Sequence, residues 1–135
     1  MTKFIMAAAA GLAITTGLAG AAEAKLCNRV GIHVYNDYED DGVPIQIRIV
    51  DFDYWDDEQG RWREENWVGN TVFLPGEDKH PFSDRNLEYV GDESGVVIRI
   101  QFQYMTANNG WSETLNAESA EFTCNDDDHV NVHVD

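Results

Sequence analysis

Along most of the chain apolar and polar residues alternate, which is the period of a β-strand with one dry face and one wet face. In RVGIHVYN, Val30, Ile32 and Val34 share one face while His33 and Tyr35 take the other. PIQIRIVDFDYW begins with Ile45, Ile47 and Ile49 on one face, then continues with Val50, Phe52 and Tyr54 on the opposite parity. A bulge near Ile49 and Val50 reconciles the two halves. RWREENWVGNTVFL predicts a third strand, irregular at Gly69, and NLEYV a short fourth. VVIRIQFQYM predicts a fifth, with Ile98, Ile100, Phe102 and Tyr104 inward against Arg99, Gln101 and Gln103 outward. A sixth element spans Trp111 to Cys124, and VNVHV closes the chain with Val130, Val132 and Val134 on one side.

Turn-forming clusters separate these runs: DYEDDG, DDEQG, PGEDKHPF, GDESG, ANNG and CNDDD. No segment sustains a helical period. The expected fold is therefore all-β, a single antiparallel β-sandwich of about seven strands, with a closed β-barrel as the alternative. In strand count alone this resembles immunoglobulin-type domains. The tryptophan packed on an internal disulfide that marks such domains has no counterpart, because Cys27 and Cys124 sit near the two ends of the sandwich sequence.

The first 24 residues read differently. Lys3 precedes an apolar run of small residues, and Ala22-Glu23-Ala24 has the small-x-small pattern of an export cleavage site. Residues 1–24 are expected to be a cleaved signal peptide and residues 25–135 one acidic domain, exported to a periplasm or the extracellular medium. In an oxidising compartment the two cysteines are expected to form a Cys27–Cys124 disulfide.

Charge narrows the partners. The whole chain carries 25 Asp and Glu against 9 Lys and Arg, and removing Glu23 and Lys3 leaves the net charge at −16. Such a surface repels nucleic acid and anionic membranes, so a basic protein or a divalent cation is the expected partner.

Where the charge gathers follows from topology. If each connection reverses the chain, loops alternate between two poles. One pole receives residues 37–42, 75–85 and 106–110. The other receives residues 56–60, 91–95 and 125–128 together with Cys27, and Cys124 ends a strand there. That pole collects Asp56, Asp57, Glu58, Asp92, Glu93, Asp126, Asp127 and Asp128, and none of its three loops contains Lys or Arg. These eight carboxylates are the expected binding surface. Because Ca²⁺ takes oxygen ligands, Asp56, Asp57, Asp126 and Asp128 form a candidate Ca²⁺ site. DYEDDG in the other pole echoes half of a helix-loop-helix calcium loop, but Arg48 stands where the bidentate acid belongs, so it reads as an acidic turn.

DFDYWDDEQGRWREENW, residues 51–67, holds seven carboxylates, two arginines and five aromatic rings. A hairpin that sets Tyr54 opposite Trp62 would pair Asp53 with Arg63 and Trp55 with Arg61. A shift by one residue would oppose Asp53 and Glu64. The first register is expected, with Asp56, Asp57 and Glu58 free at the tip. The tryptophans around this hairpin, Trp55, Trp62 and Trp67, are expected to fill the core, with an exposed recognition face as the alternative.

Other chemistry is thin. His129 and His133 lie about 13 Å apart along a strand, too far to share one metal, although either could join His33 if the first and last strands are neighbours. His80 sits in a loop. Ser83, Ser94, Ser112 and Ser119 lie in no nucleophile context, and no phosphate loop or cofactor fingerprint is present. The expected function is a non-enzymatic binding domain whose acidic loops engage a cationic protein surface. A Ca²⁺-stabilised domain is the alternative, and a small secreted hydrolase a further one.

Overall fold

The computed structural model describes residues 25–67 and 69–135. The expected signal peptide, residues 1–24, lies outside the described residues. In chain order the strands are β1 (Cys27–Asn36), β2 (Glu39–Asp40), β3 (Val43–Pro44), β4 (Ile47–Asp56), β5 (Arg61–Glu64), β6 (Thr71–Phe73), β7 (Asp78–Lys79), β8 (Arg85–Leu87), β9 (Val97–Tyr104), β10 (Leu115–Glu118) and β11 (His129–Val134). The fold is an all-β sandwich, and no sheet closes into a barrel. One sheet runs β11-β1-β7 with β8 also on β1, and the other runs β10-β9-β4-β5 with β6 also on β4.

Alternation places the core as the sequence predicts. Val30, Ile32 and Val34 of β1 and Val130, Val132 and Val134 of β11 face inward. Opposite them lie Ile47, Ile49, Phe52 and Tyr54 of β4 and Ile98, Ile100 and Phe102 of β9. The predicted bulge is present: β4 pairs with β9 through Ile49–Phe102 and then Asp51–Gln101, so Val50 is the extra residue that switches the inward parity.

The sandwich is not wholly antiparallel. β1 and β11 pair in parallel, from Gly31–His129 to Asn36–Val134. Both are odd-numbered in the seven-strand count, so chain reversal itself gives them one direction once they become neighbours. The strand count also rises. The predicted third strand breaks into β5 and β6 around Gly69, which lies so close under the Trp67 indole that a Cβ there would sit 2.0 Å from its ring. The DYEDDG region contributes the short β2–β3 hairpin, and two residues of the 75–85 loop, Asp78 and Lys79, pair with β1 as β7. The predicted sixth element contracts to residues 115–118, flanked by single bridges at Met105–Trp111 and Val96–Phe122.

Cys27 and Cys124 form the disulfide, with Cα atoms 6.0 Å apart and both residues fully buried. The bond is compatible with an oxidising compartment.

Candidate functional site

The β4–β5 hairpin adopts the register that the sequence argument rejected. Asp53 stands opposite Glu64, Tyr54 opposite Arg63 and Trp55 opposite Trp62. Charges on a third strand explain why. Arg99 of β9 donates two hydrogen bonds to Asp53, at 2.9 and 2.5 Å, which removes the repulsion that a two-strand view assigns to Asp53 and Glu64. The shift also brings Trp55 and Trp62 edge-to-face with centroids 5.3 Å apart.

With that register, Asp56 continues the inward parity of Phe52 and Tyr54 and is fully buried. Its Oδ2 accepts from Arg63 at 2.8 and 2.7 Å, and its Oδ1 accepts from the Gln59 amide at 3.1 Å. Glu93 reaches the same point from the 91–95 turn and is only 3% exposed. Its Oε1 accepts from the Glu58 amide at 3.1 Å, whereas Oε2 is buried with no donor. Burial, and then the hydrogen bond it shares with Asp56, pushes the Glu93 carboxyl up to about 7. For Asp56 burial works upward too, but the donors Gln59 and Arg63 and the Glu93 proton outweigh it and hold the group below its ordinary value. Below about pH 7 one carboxyl of the pair is thus an acid and the other a carboxylate.

The three loops meet as alternation requires. Asp92 donates its amide to the Cys124 carbonyl at 2.7 Å, and Cys124 returns an amide to Glu93 at 2.9 Å. The Asn28 amide donates to Asp126 at 2.8 Å, and the Asp127 amide donates to the Asn28 carbonyl at 2.8 Å. The eight carboxylates are not equivalent, however. Asp57, Glu58, Asp92, Asp126 and Asp127 are exposed, Asp128 is half-buried, and Asp56 and Glu93 are sealed inside. The idea that Asp56 is free at the tip is therefore corrected by its strand parity.

Cations also reach this pole from the flanking strands and from Lys25, just before β1. Arg29 grips Asp127 through two contacts at 2.6 and 3.1 Å, Lys25 lies 3.9 Å from Glu58, and Arg63 holds Asp56. Counting only loop residues missed them. Asp57 accepts from Trp55 Nε1 at 3.0 Å, and Asp128 closes its own turn by accepting the Asn125 amide at 2.9 Å. Asp56, Asp57, Asp126 and Asp128 are thus each engaged by separate donors. Among the described residues no group of three or more His, Cys, Asp or Glu side chains is placed to hold a metal ion.

Trp55 and Trp62 stand outside the core, which is built from Ile, Val, Phe, Leu and Tyr together with the cystine, while Trp67 packs against it on Phe82. All four tryptophans are half-buried. Larger rings could not enter because the inward positions of both sheets follow strand parity, and Trp55 and Trp62 fall on the outward one. On that outer face the register aligns Glu118, Arg99, Asp53 and Glu64 in one row across four strands. The next row holds Val97, Trp55 and Trp62. Between them opens a cleft of about 300 Å³ lined by Trp55, Trp62, Val97, Glu118 and Glu121. The Arg99 guanidinium already lies 3.8 Å above the Trp62 ring, so this aromatic surface accepts a cation from one side. Glu118 and Glu121 escaped the sequence argument. Their only signal was the outward parity of Glu118 within the predicted sixth element, Trp111 to Cys124.

No protein-family model, curated protein or solved structure matches this chain.

Proposed function

We propose that this is an exported, non-enzymatic binding domain that captures a cationic segment of another protein, seating a lysine or arginine against the Trp55–Trp62 pair in the cleft it lines with Glu118 and Glu121. The cleft carries the reading: the Trp55 and Trp62 indoles supply an aromatic surface suited to cation–π attraction, and Glu118 and Glu121 supply the counter-charge at its rim. Trp55 hydrogen-bonds Asp57, which makes the cleft continuous with the exposed acidic pole of Asp57, Glu58 and Asp92. Asp126, exposed and held on Asn28 next to Cys27, extends the negative surface, while Asp127 is paired with Arg29.

The charge balance supports the same partner. Lys25, Arg29, Arg63, Lys79, Arg85 and Arg99 each pair with a carboxylate of the chain itself, and Arg48 lies over Trp111. Most of the chain's cations are consumed internally while the excess of acids faces solvent. An excess of that sign steers basic partners and raises their association rate at low ionic strength.

The test is titration of the oxidised domain with an arginine-rich peptide, followed by tryptophan fluorescence and calorimetry. Affinity should fall about tenfold or more between about 0.05 M and about 0.5 M salt, and Trp55→Ala and the double change Glu118→Gln, Glu121→Gln should each weaken it. A complex indifferent to salt, or one that both variants bind as well as wild type, would overturn the reading.

A further inference from the structure

On the opposite sheet the short strand β7 solves the placement of His80. β7 pairs with β1 through Tyr35–Asp78 and Val34–Lys79, and the same antiparallel register carries His80 to a position facing His33. The two rings meet nearly perpendicular, and His33 Nδ1 lies 3.3 Å from His80 Nε2. The outer nitrogens are both held. His33 Nε2 lies 2.7 Å from Asp78 Oδ1, and His80 Nδ1 lies 3.0 Å from the Ile32 carbonyl oxygen.

A carbonyl and a carboxylate only accept, so each outer nitrogen carries the hydrogen. A neutral imidazole has one N–H. Once both are committed outward, His33 Nδ1 and His80 Nε2 face one another with lone pairs across a hydrogen-bond distance that contains no hydrogen. Such a gap is stable only with a positive charge in it. We propose that His33 Nδ1 and His80 Nε2 are the two protein ligands of a divalent transition-metal ion of the Zn²⁺ or Cu²⁺ type, with water completing its coordination.

Two further observations agree. Metal–imidazole bonds of about 2.0–2.1 Å at a tetrahedral angle put their two nitrogens about 3.3 Å apart, as here. Ligating histidines also characteristically donate their other N–H to a carboxylate or a backbone carbonyl, and Asp78 and Ile32 supply one of each. Imidazole selects Zn²⁺, Cu²⁺ or Ni²⁺ over Ca²⁺. The His33 side chain is 25% exposed and His80 is exposed, so an ion reaches the pair from solvent. His133 is not a third ligand. Tyr35 stacks on it at 4.4 Å, between it and His33, and Asp37 holds its Nδ1 at 2.6 Å.

The experiment is a Zn²⁺ titration of the disulfide-bonded domain in excess Mg²⁺, which occupies the surface carboxylates, read by long-range ¹H–¹⁵N spectra of the histidine rings. Zn²⁺ should move His33 Nδ1 and His80 Nε2 and leave the rings of His129 and His133 in place. His80→Gln, an exposed change, should weaken binding about a hundredfold, and Asp78→Asn about tenfold by freeing the His33 ring. Unchanged circular dichroism in both variants separates a lost ligand from a lost fold. No shift at millimolar Zn²⁺ would mean that a proton alone fills the gap and would overturn the proposal. So would binding that His80→Gln leaves intact or that moves His129 or His133 instead.

Discussion

Glu93 and Asp56 accept the successive amides of Glu58 and Gln59 in a site closed to solvent, 3% and 0% exposed, beside the Cys27–Cys124 cystine. Below about pH 7 Glu93 keeps its proton beside Asp56, so the pair carries one negative charge, which Arg63 matches. Ionising Glu93 would leave two carboxylates against one guanidinium.

Stability should therefore depend on pH with a sign set mainly by Glu93. Its native value of about 7 lies above its ordinary 4.5, so its contribution is complete below about 4.5 and is lost as pH rises through 7. Asp56 acts oppositely: its value is lowered, so its contribution is present above 3.8 and fails only in stronger acid. The melting temperature of the domain should be highest in mildly acidic buffer and fall towards pH 8. Glu93→Gln keeps the shape and a donor beside Asp56 without a titrating proton, and it should flatten that fall. A wild-type slope between pH 5 and 8 that survives in Glu93→Gln would show that other groups set it.

The disulfide closes a sequence separation of 97 residues. Replacing Cys27 and Cys124 by Ala should cost about 4–5 kcal/mol if restriction of the unfolded chain dominates. The loss should show in urea unfolding as a lower midpoint. Hydrogen exchange should quicken at the Asp92 and Cys124 amides, which bond across the site. A midpoint shift worth under about 1 kcal/mol would mean that the unfolded chain is already compact without the crosslink.

Gly69 is required by contact. A methyl there would lie 2.0 to 2.6 Å from three atoms of the Trp67 indole, which packs edge-to-face on Phe82 with centroids 5.0 Å apart. Gly69→Ala should push the indole off Phe82 and destabilise the domain by about 1–3 kcal/mol, with a change in the near-ultraviolet dichroism of the aromatic residues. An unaltered spectrum together with full stability would contradict that packing.

The parts of this fold that alternation dictates were readable from residues alone: β1, β9 and β11, the Val50 bulge, and the meeting of the 56–60, 91–95 and 125–128 loops beside the cystine. Long runs with one dry face leave a single inward set, and reversal then fixes which loops are neighbours. The hairpin register was not readable, because its cost was judged from two strands while Arg99 on a third decides it. Asp56 was legible in principle, since it keeps the parity of Phe52 and Tyr54, but charge argued for the surface and obscured the Arg63 partner. His80 was out of reach. A two-residue strand has no period, and only the β1–β7 register sets it against His33.

Asn36 is the polar residue on which the far pole depends. It ends β1 on the inward face, 1% exposed, where alternation would otherwise place another Val. Its Nδ2 donates to the carbonyls of Ile45 at 2.9 Å and Leu74 at 3.0 Å, and its Oδ1 accepts the Tyr38 amide at 3.2 Å. One side chain thereby joins the end of β1 to the approach to β4 and to the residue that follows β6. Truncation takes a partner from the half-buried Ile45 carbonyl and Tyr38 amide, so Asn36→Ala should cost about 1–3 kcal/mol in chemical denaturation. Asn36→Asp is the sharper comparison because it keeps the shape and the acceptor while aiming a carboxylate at two carbonyl oxygens. Its loss should exceed that of Asn36→Ala at pH 7 and shrink in acid, where protonation restores one donor. If the Asn36→Asp variant proved as stable as wild type at neutral pH, the two donated bonds would not be what holds these segments together.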